Sequence, residues 1–121
     1  MTAVSRSEPL LQISLLGEAV EHAPVGVFVF DEDGRYVAVN SYACELLGYE
    51  RSELLDRRIG ELSASPDDAL RSYRAVAEGE RAEGTTRVVC KDGAEAELRF
   101  RGRETTIGGL TFYIGIAWPA A

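Results

Sequence analysis

Two stretches near opposite ends of the chain, VGVFVFD at 25–31 and LTFYIGIAW at 110–118, carry apolar side chains on both faces of an extended strand. Successive side chains of a strand point to opposite sides of its sheet, so a run that is apolar on both sides needs cover on both. Both segments are therefore expected as central strands. Any fold for this sequence has to place them in the middle of one sheet and find material for each face. With 121 residues there is room for one such core and not for two ordinary domains.

Turn and helix signals supply the other elements. RYVAVN (35–40) returns from the first strand through the turn Glu32-Asp33-Gly34, giving an opening hairpin. Residues 41–80 read as short helices. Asn40 or Ser41 caps SYACELL and Gly48 ends it, Ser52 caps a brief SELLD segment, and Ile59 and Leu62 anchor another turn. Ser65-Pro66-Asp67-Asp68 then opens a longer helix, DDALRSYRAVAEG, which Gly79 closes. Leu70, Tyr73 or Arg74, and Ala77 fall on one of its faces, with Val76 nearby. TTRVVCK (85–91) turns at Asp92-Gly93 into AEAELRFR (94–101), where Ala94, Ala96, Leu98 and Phe100 alternate with outward Glu95, Glu97, Arg99 and Arg101. A turn near Gly108-Gly109 leads to the last strand. Ahead of all these, residues 1–8 read as a loose N-terminus. Residues 9–22 form a helix with a wide apolar face, capped by Ser7 and stopped by Pro24. Residues 119–121 are left as a tail.

Charge and motif content exclude several function classes. The 13 basic and 20 acidic side chains leave a net charge of −7, which disfavours duplex nucleic acid and an anionic membrane surface as partners. No apolar run approaches the ~20 residues of a membrane span, and the N-terminus lacks a secretory signal, so a cytoplasmic location is expected. Cys44 and Cys90 stand apart from any metal-ligand spacing and read as free, buried thiols. The acids lie in turns, at helix starts and on an outward strand face. There is no nucleophile elbow, phosphate-cradling glycine loop or paired histidine, so enzyme activity is not expected. A small cone-shaped α+β isomerase or hydrolase is the enzymatic alternative, and the sequence offers no buried strand acid for it.

The stretch 23–62 resembles the N-terminal half of a PAS domain. Pro24 and Gly26, Asp31 and Gly34, Asn40, Leu47-Gly48-Tyr49 and Glu53-Leu54-Leu55 carry the likeness, continued by Lys91-Asp92-Gly93 and Tyr113-Ile114-Gly115. Asp56 departs from it, standing where the family usually has glycine. The resemblance covers about residues 12–118 and implies an α+β PAS fold with a core at 23–118. Its sheet would be five-stranded and antiparallel, in the order 2-1-5-4-3, with a helical insert on one face. It implies a sensory module for signal transduction that senses a small ligand or mediates protein–protein interaction, its effector lying in a regulatory partner or a fused domain. A ligand-free dimerisation scaffold is the alternative.

PAS domains enclose a pocket between the inner sheet face and the insert. Here its lining is expected from Phe28, Phe30, Leu55, Ile59, Leu70, Tyr73, Val88, Leu98, Phe100, Tyr113 and Ala117. That surface suits a small apolar or aromatic ligand, whose identity the sequence leaves unknown. In the similar flavin-binding LOV photoreceptors the reactive cysteine falls on Ile59 and the preceding Asn on Arg58. The polar side chains that hold the flavin ring fall on Val88, Leu98 and Ala117, so a LOV-type flavin is not expected. His-ligated haem is not expected either, because the sole histidine, His22, ends the N-terminal helix. Tyr73 is the weak haem candidate and reads better as a core residue with its hydroxyl at the pocket mouth. On the outer sheet face, Val27, Val29, Phe112, Ile114, Ile116 and Trp118 need cover. The helix bearing Leu10, Ile13, Leu16 and Val20 is the expected cover and the expected seam of a symmetric homodimer.

Overall fold

In the computed structural model, which describes residues 8–78 and 82–120, five antiparallel strands form one sheet in the order β2-β1-β5-β4-β3. The two doubly apolar segments, β1 (Gly26–Phe30) and β5 (Leu110–Pro119), pair side by side as interior strands, with β2 (Tyr36–Val39) and β4 (Glu95–Ile107) beyond them. Their register sets the two faces. Gly26↔Ala117, Phe28↔Gly115 and Phe30↔Tyr113 meet on the inner side, while Val27↔Ile116 and Val29↔Ile114 meet on the outer. Each large inner side chain of that central pair except the last faces a small one, which keeps space beneath the insert. Gly26 is required for close approach, since a Cβ there would lie 2.9 Å from the Phe28 ring and 3.2 Å from Leu46.

Strand ends differ from the sequence expectation in one region. β3 (Ala82–Val89) starts before residue 85, and β4 runs past residue 101 to Ile107. The ladder continues beyond the expected end at Arg101, with Arg103, Thr105 and Ile107 paired with Ile114, Phe112 and Leu110. Gly108 and Gly109, at φ +59 and +78, close a two-residue hairpin turn whose twist lets the ladder run to its end.

The insert packs on the inner face as α2 (Ser41–Leu47), α3 (Arg51–Leu54) and α4 (Pro66–Ala77). Asn40 caps α2 through its side chain, and Gly48 ends it at φ +76. The cap of α3 is Glu50 rather than Ser52: the Glu53 carboxylate accepts the Glu50 N–H at 3.0 Å, a reciprocal use of acids that serine spacing concealed. Lys91 ties the β3–β4 turn to the insert, its N–H donating to Leu47 O at 2.9 Å and its ammonium pairing with Glu53 at 2.8 Å. In α4 the inward positions are Ala69 and Tyr73, while Leu70 is 36% exposed. Gly79 as helix stop, Ser7 as cap and the loose residues 1–7 lie outside the described residues, as do the side chains of Val76 and Ala77.

α1 (Pro9–Glu21) begins at Glu8, whose carboxylate accepts the Leu11 N–H at 3.0 Å. It does not bury its apolar face on its own sheet. None of its residues is buried, and Leu10, Ile13, Leu16 and Val20 are 72%, 66%, 63% and 45% exposed. The expected intramolecular cover is thus corrected: the contacts that hold the helix to the domain lie at its C-terminal end, through Val20 and Glu21, and Leu10, Ile13, Leu16 and Val20 face solvent. Among the described residues no helix is long and apolar enough to cross a membrane.

Candidate functional site

A cavity of about 150 Å³ lies between the inner sheet face and the insert. β1 gives it Phe28 and Phe30, β3 Val88, β4 Leu98 and Phe100, β5 Tyr113 and Ala117, and the insert Ile59 and Tyr73. Alternation along strands brings these together, because positions two apart share a face. Leu55 and Leu70, expected beside them, do not line it. Leu55 leaves α3 in an extended conformation, and Leu70 points outward from α4 one position after Ala69.

Sequence reasoning missed Tyr36, Leu47, Leu62, Ala69 and Thr86 in the lining. Tyr36 is the instructive one. A register shift between Val29 and Phe30 sets Tyr36 opposite Phe30, so both ends of β2, Tyr36 and Val39, turn inward. Simple alternation along β2 would put them on opposite faces. The Tyr36 ring packs against Phe28 and Phe30 at centroid distances of 6.0 and 4.6 Å. Burial pushes its hydroxyl up to about 12, with the Glu61 charge acting in the same direction.

Tyr73 closes one side. Its hydroxyl donates to Glu32 O at 2.8 Å, and its ring meets Tyr113 edge-on at 5.2 Å, which docks α4 onto the β1–β2 turn. That turn is itself held by Asp31, whose carboxylate accepts the N–H groups of Asp33 and Arg35. Ile59, Val88, Leu98 and Ala117, which occupy the positions a LOV flavin site would fill with cysteine and polar groups, all face this cavity. His22 lies elsewhere, at the exposed end of α1 beside Glu18 at 3.3 Å. Cys44 and Cys90 are free and half-buried rather than fully buried, and burial raises the pKa of both thiols. Among the described residues no cluster of three or more His, Cys, Asp or Glu is placed to hold a metal.

A polar joint fastens the C-terminal end of α1 to the start of β1 and to the cap of α2. Buried Asn40, 3% exposed, accepts from the N–H groups of Val27 (2.9 Å) and Ala43 (3.0 Å). Its amide donates to the carbonyls of Val20 (2.7 Å) and Val25 (2.9 Å). Glu21, the last residue of α1, accepts from the Ser41 N–H and hydroxyl and pairs with Arg51 at 2.6 Å. The Ser41 hydrogen bond and the Arg51 guanidinium hold its carboxyl below the usual range against a smaller desolvation effect.

An antiparallel sheet of this order, with a helical insert over one face and an apolar cavity between, defines the α+β class of the chain. The family model for the PAS fold matches residues 15–116, and the chain belongs to the PAS family. Solved structures agree. A domain of the sensory box sensor histidine kinase/response regulator from Geobacter sulfurreducens is 27% identical, with a TM-score of 0.80 over 93% of this chain and 98% of that one. The PAS domain of an HTR-like protein from Haloarcula marismortui is 26% identical, with a TM-score of 0.79 over 94% and 97%. An RNA-binding light-oxygen-voltage receptor, 24% identical, shares the fold at a TM-score of 0.82 over 98% of this chain and 36% of its own. No curated protein matches the sequence at a significant level.

Proposed function

We propose that the chain is a non-catalytic sensory module for signal transduction: a small apolar or aromatic molecule enters the cavity, and the response passes to a second copy of the chain through α1. The observation that carries this is an apolar cavity walled by β1, the strand whose Val27 N–H is bonded to the joint that holds α1. Pockets of this kind, apolar with few polar groups, are the usual small-molecule sites of a domain. The description of the Geobacter relative as part of a sensor histidine kinase supports the signalling half. Uncovered Leu10, Ile13, Leu16 and Val20, together with the half-buried outer-face residues Val27, Val29, Phe112, Ile114 and Trp118, support a symmetric homodimer. Two free thiols suit the cytoplasm. Output then goes to a regulatory partner or a fused effector.

The test is to extract the purified protein with organic solvent, identify what is released by mass spectrometry, and measure its mass in solution by light scattering. A specific small molecule and a dimeric mass are expected. A dimer that repeatedly releases nothing would instead mark a ligand-free scaffold, and a bound flavin or haem would contradict the site described above.

A further inference from the structure

We infer that the open edge of β3 is a docking strand for an extended segment of another protein, one that carries a lysine or arginine where it enters the acidic groove beside that edge. The direction of the backbone groups comes first. Ala64 N–H donates to Arg87 O at 2.8 Å and Val89 N–H to Leu62 O at 2.8 Å, so Arg87 and Val89 turn their polar groups away from β4. Alternate residues of an antiparallel ladder turn the same way, and Glu83 and Thr85 therefore turn theirs outward too. Among the described residues nothing pairs with these two, because the covering segment leaves the edge after Ala64 to begin α4 at Pro66. Gly84 and Thr85 are exposed.

An exposed strand edge is a template for another strand, and folded domains ordinarily blunt it with lysine, proline or a bulge. β3 has none of these: AEGTTRVV runs eight pairs along β4 without a register shift. The opposite edge of the sheet shows the contrast. There β2 is closed by the insert, with the Tyr36 N–H donating to Arg57 O at 2.8 Å and the Ile59 N–H to Gly34 O at 2.7 Å. A partner strand of about five residues, the usual length, spans the open stretch of β3.

Charge selects the occupant. Where the covering segment departs, a groove of about 310 Å³ separates Ser65 and Asp68 from Thr85 and Arg87 and takes in Glu95 and Glu97 of β4. Its three carboxylates meet one guanidinium. Asp68 pairs with Arg71 at 3.3 Å, but Glu95 and Glu97, both exposed, form no ion pair with any described residue. Arg87 stands opposite Glu97 in the ladder without closing into one. The net charge of −7 acts in the same direction: it draws a cationic segment and opposes a second copy of this chain at the same edge.

Three short peptides titrated into the full chain test this by NMR: Lys-Thr-Val-Thr-Val-Thr-Lys, its counterpart with glutamate at both ends, and the basic sequence N-methylated along its backbone. The basic peptide should shift the Glu83 and Thr85 amides, slow their exchange with solvent, and bind more tightly than the acidic one; the N-methylated peptide, which cannot donate to a strand, should not bind. Glu95→Gln together with Glu97→Gln should lower the basic-to-acidic affinity ratio by about twofold to fivefold. Thr85→Pro removes one outward N–H and spares the ladder to β4, and should weaken the basic peptide by about threefold to tenfold, with unchanged β1 and β5 amide signals showing that the variant is folded. Equal affinity for the two charged peptides overturns the charge assignment. Binding of the N-methylated peptide overturns strand addition, even where Thr85→Pro fails to fold. Concentration-dependent protection of the Thr85 amide in the chain alone gives the edge to a second copy and overturns the proposal, as do Glu83 and Thr85 amides that no peptide moves.

Discussion

Replacing Asn40 with alanine should be the most damaging single polar change in the molecule. The side chain is 3% exposed and serves the Val27 and Ala43 N–H groups at 2.9 and 3.0 Å and the Val20 and Val25 carbonyls at 2.7 and 2.9 Å. The two carbonyls belong to α1 and its linker, where water can replace the amide. The two N–H groups lie in the body of the domain, and each orphaned donor there costs about 1–3 kcal/mol. The Ala43 bond is also the α2 cap, worth ~1 kcal/mol by itself. A loss of about 2–5 kcal/mol follows, a large share of the ~5–15 kcal/mol that holds a domain together. Urea unfolding followed by the fluorescence of Trp118, the sole tryptophan, reads it directly. With a slope of about 1–3 kcal/mol per molar, the midpoint should fall by roughly 1–3 M at unchanged slope. Asn40→Asp separates the two halves of the joint: it keeps the acceptor for Val27 and Ala43 but turns an oxygen toward the Val20 and Val25 carbonyls. Its carboxylate, in a site 3% exposed and against two carbonyl oxygens, should itself cost stability, and the α1 amides should exchange with solvent far faster. A loss under about 1 kcal/mol in Asn40→Ala would refute the assignment of those bonds.

Four further outcomes are expected. Leu16 is 63% exposed in the single chain, so Leu16→Asp should leave circular dichroism unchanged while halving the mass seen by light scattering; a persistent dimer would rule α1 out as the seam. Asp56 sits at φ +72, and Asp56→Gly should relieve left-handed strain of about 1 kcal/mol, partly offset by glycine entropy, for a small gain in melting temperature. Tyr36 rises from an ordinary 10.0 to about 12 on folding, so the unfolded chain loses its proton first: stability should drop by about 3 kcal/mol as pH climbs between those values, and Tyr36→Phe should flatten that limb of a denaturation series. Burial raises Cys44 and Cys90, so alkylation by iodoacetamide near pH 7 should be much slower in the native than in the urea-unfolded chain, and rapid native labelling would overturn that.

Where hydrophobic pattern alone decides, the sequence was easy to read. β1 and β5 had no other place than mid-sheet, and alternation in 94–101 put Leu98 and Phe100 on the inner side, where they meet Phe28 and Ala117 around one cavity. Pattern reasoning weakened wherever one residue's displacement mattered. The irregularity at Val29/Phe30 turned Tyr36 inward, and nothing in VFVFDEDGRY announces a bulge. On α4, one residue is 100° of rotation, enough to exchange Leu70 for Ala69. The family's glycine at position 56 was a legible clue, since the departure to Asp falls where the backbone demands a positive φ. The exposure of α1 was hidden for a different reason: an apolar face says that cover is needed, and cannot say whether the same chain provides it.

The proposed sensor needs a route from the cavity to that helix, and the strand order supplies a short one. Phe28 and Phe30 form the cavity wall, while Val27 between Gly26 and Phe28 bonds Asn40 through both its N–H (2.9 Å) and its carbonyl (3.1 Å). A ligand that shifts either ring moves β1, and β1 cannot move without disturbing the atoms that grip Val20 and Val25. Leu47, at the far end of the helix that Asn40 caps, lines the same cavity. The joint is therefore loaded from two sides, by a strand and by a helix. Differential ligand affinity for two settings of that joint is all the coupling the module requires. Glu21→Ala, which loosens the end of α1 from Ser41 and Arg51 without touching Asn40 or the cavity walls, should then bind a small aromatic probe such as p-xylene normally and yet weaken any effect of that probe on the exchange of α1 amides. Undiminished persistence of that effect in the variant would mean the signal leaves the cavity by another path.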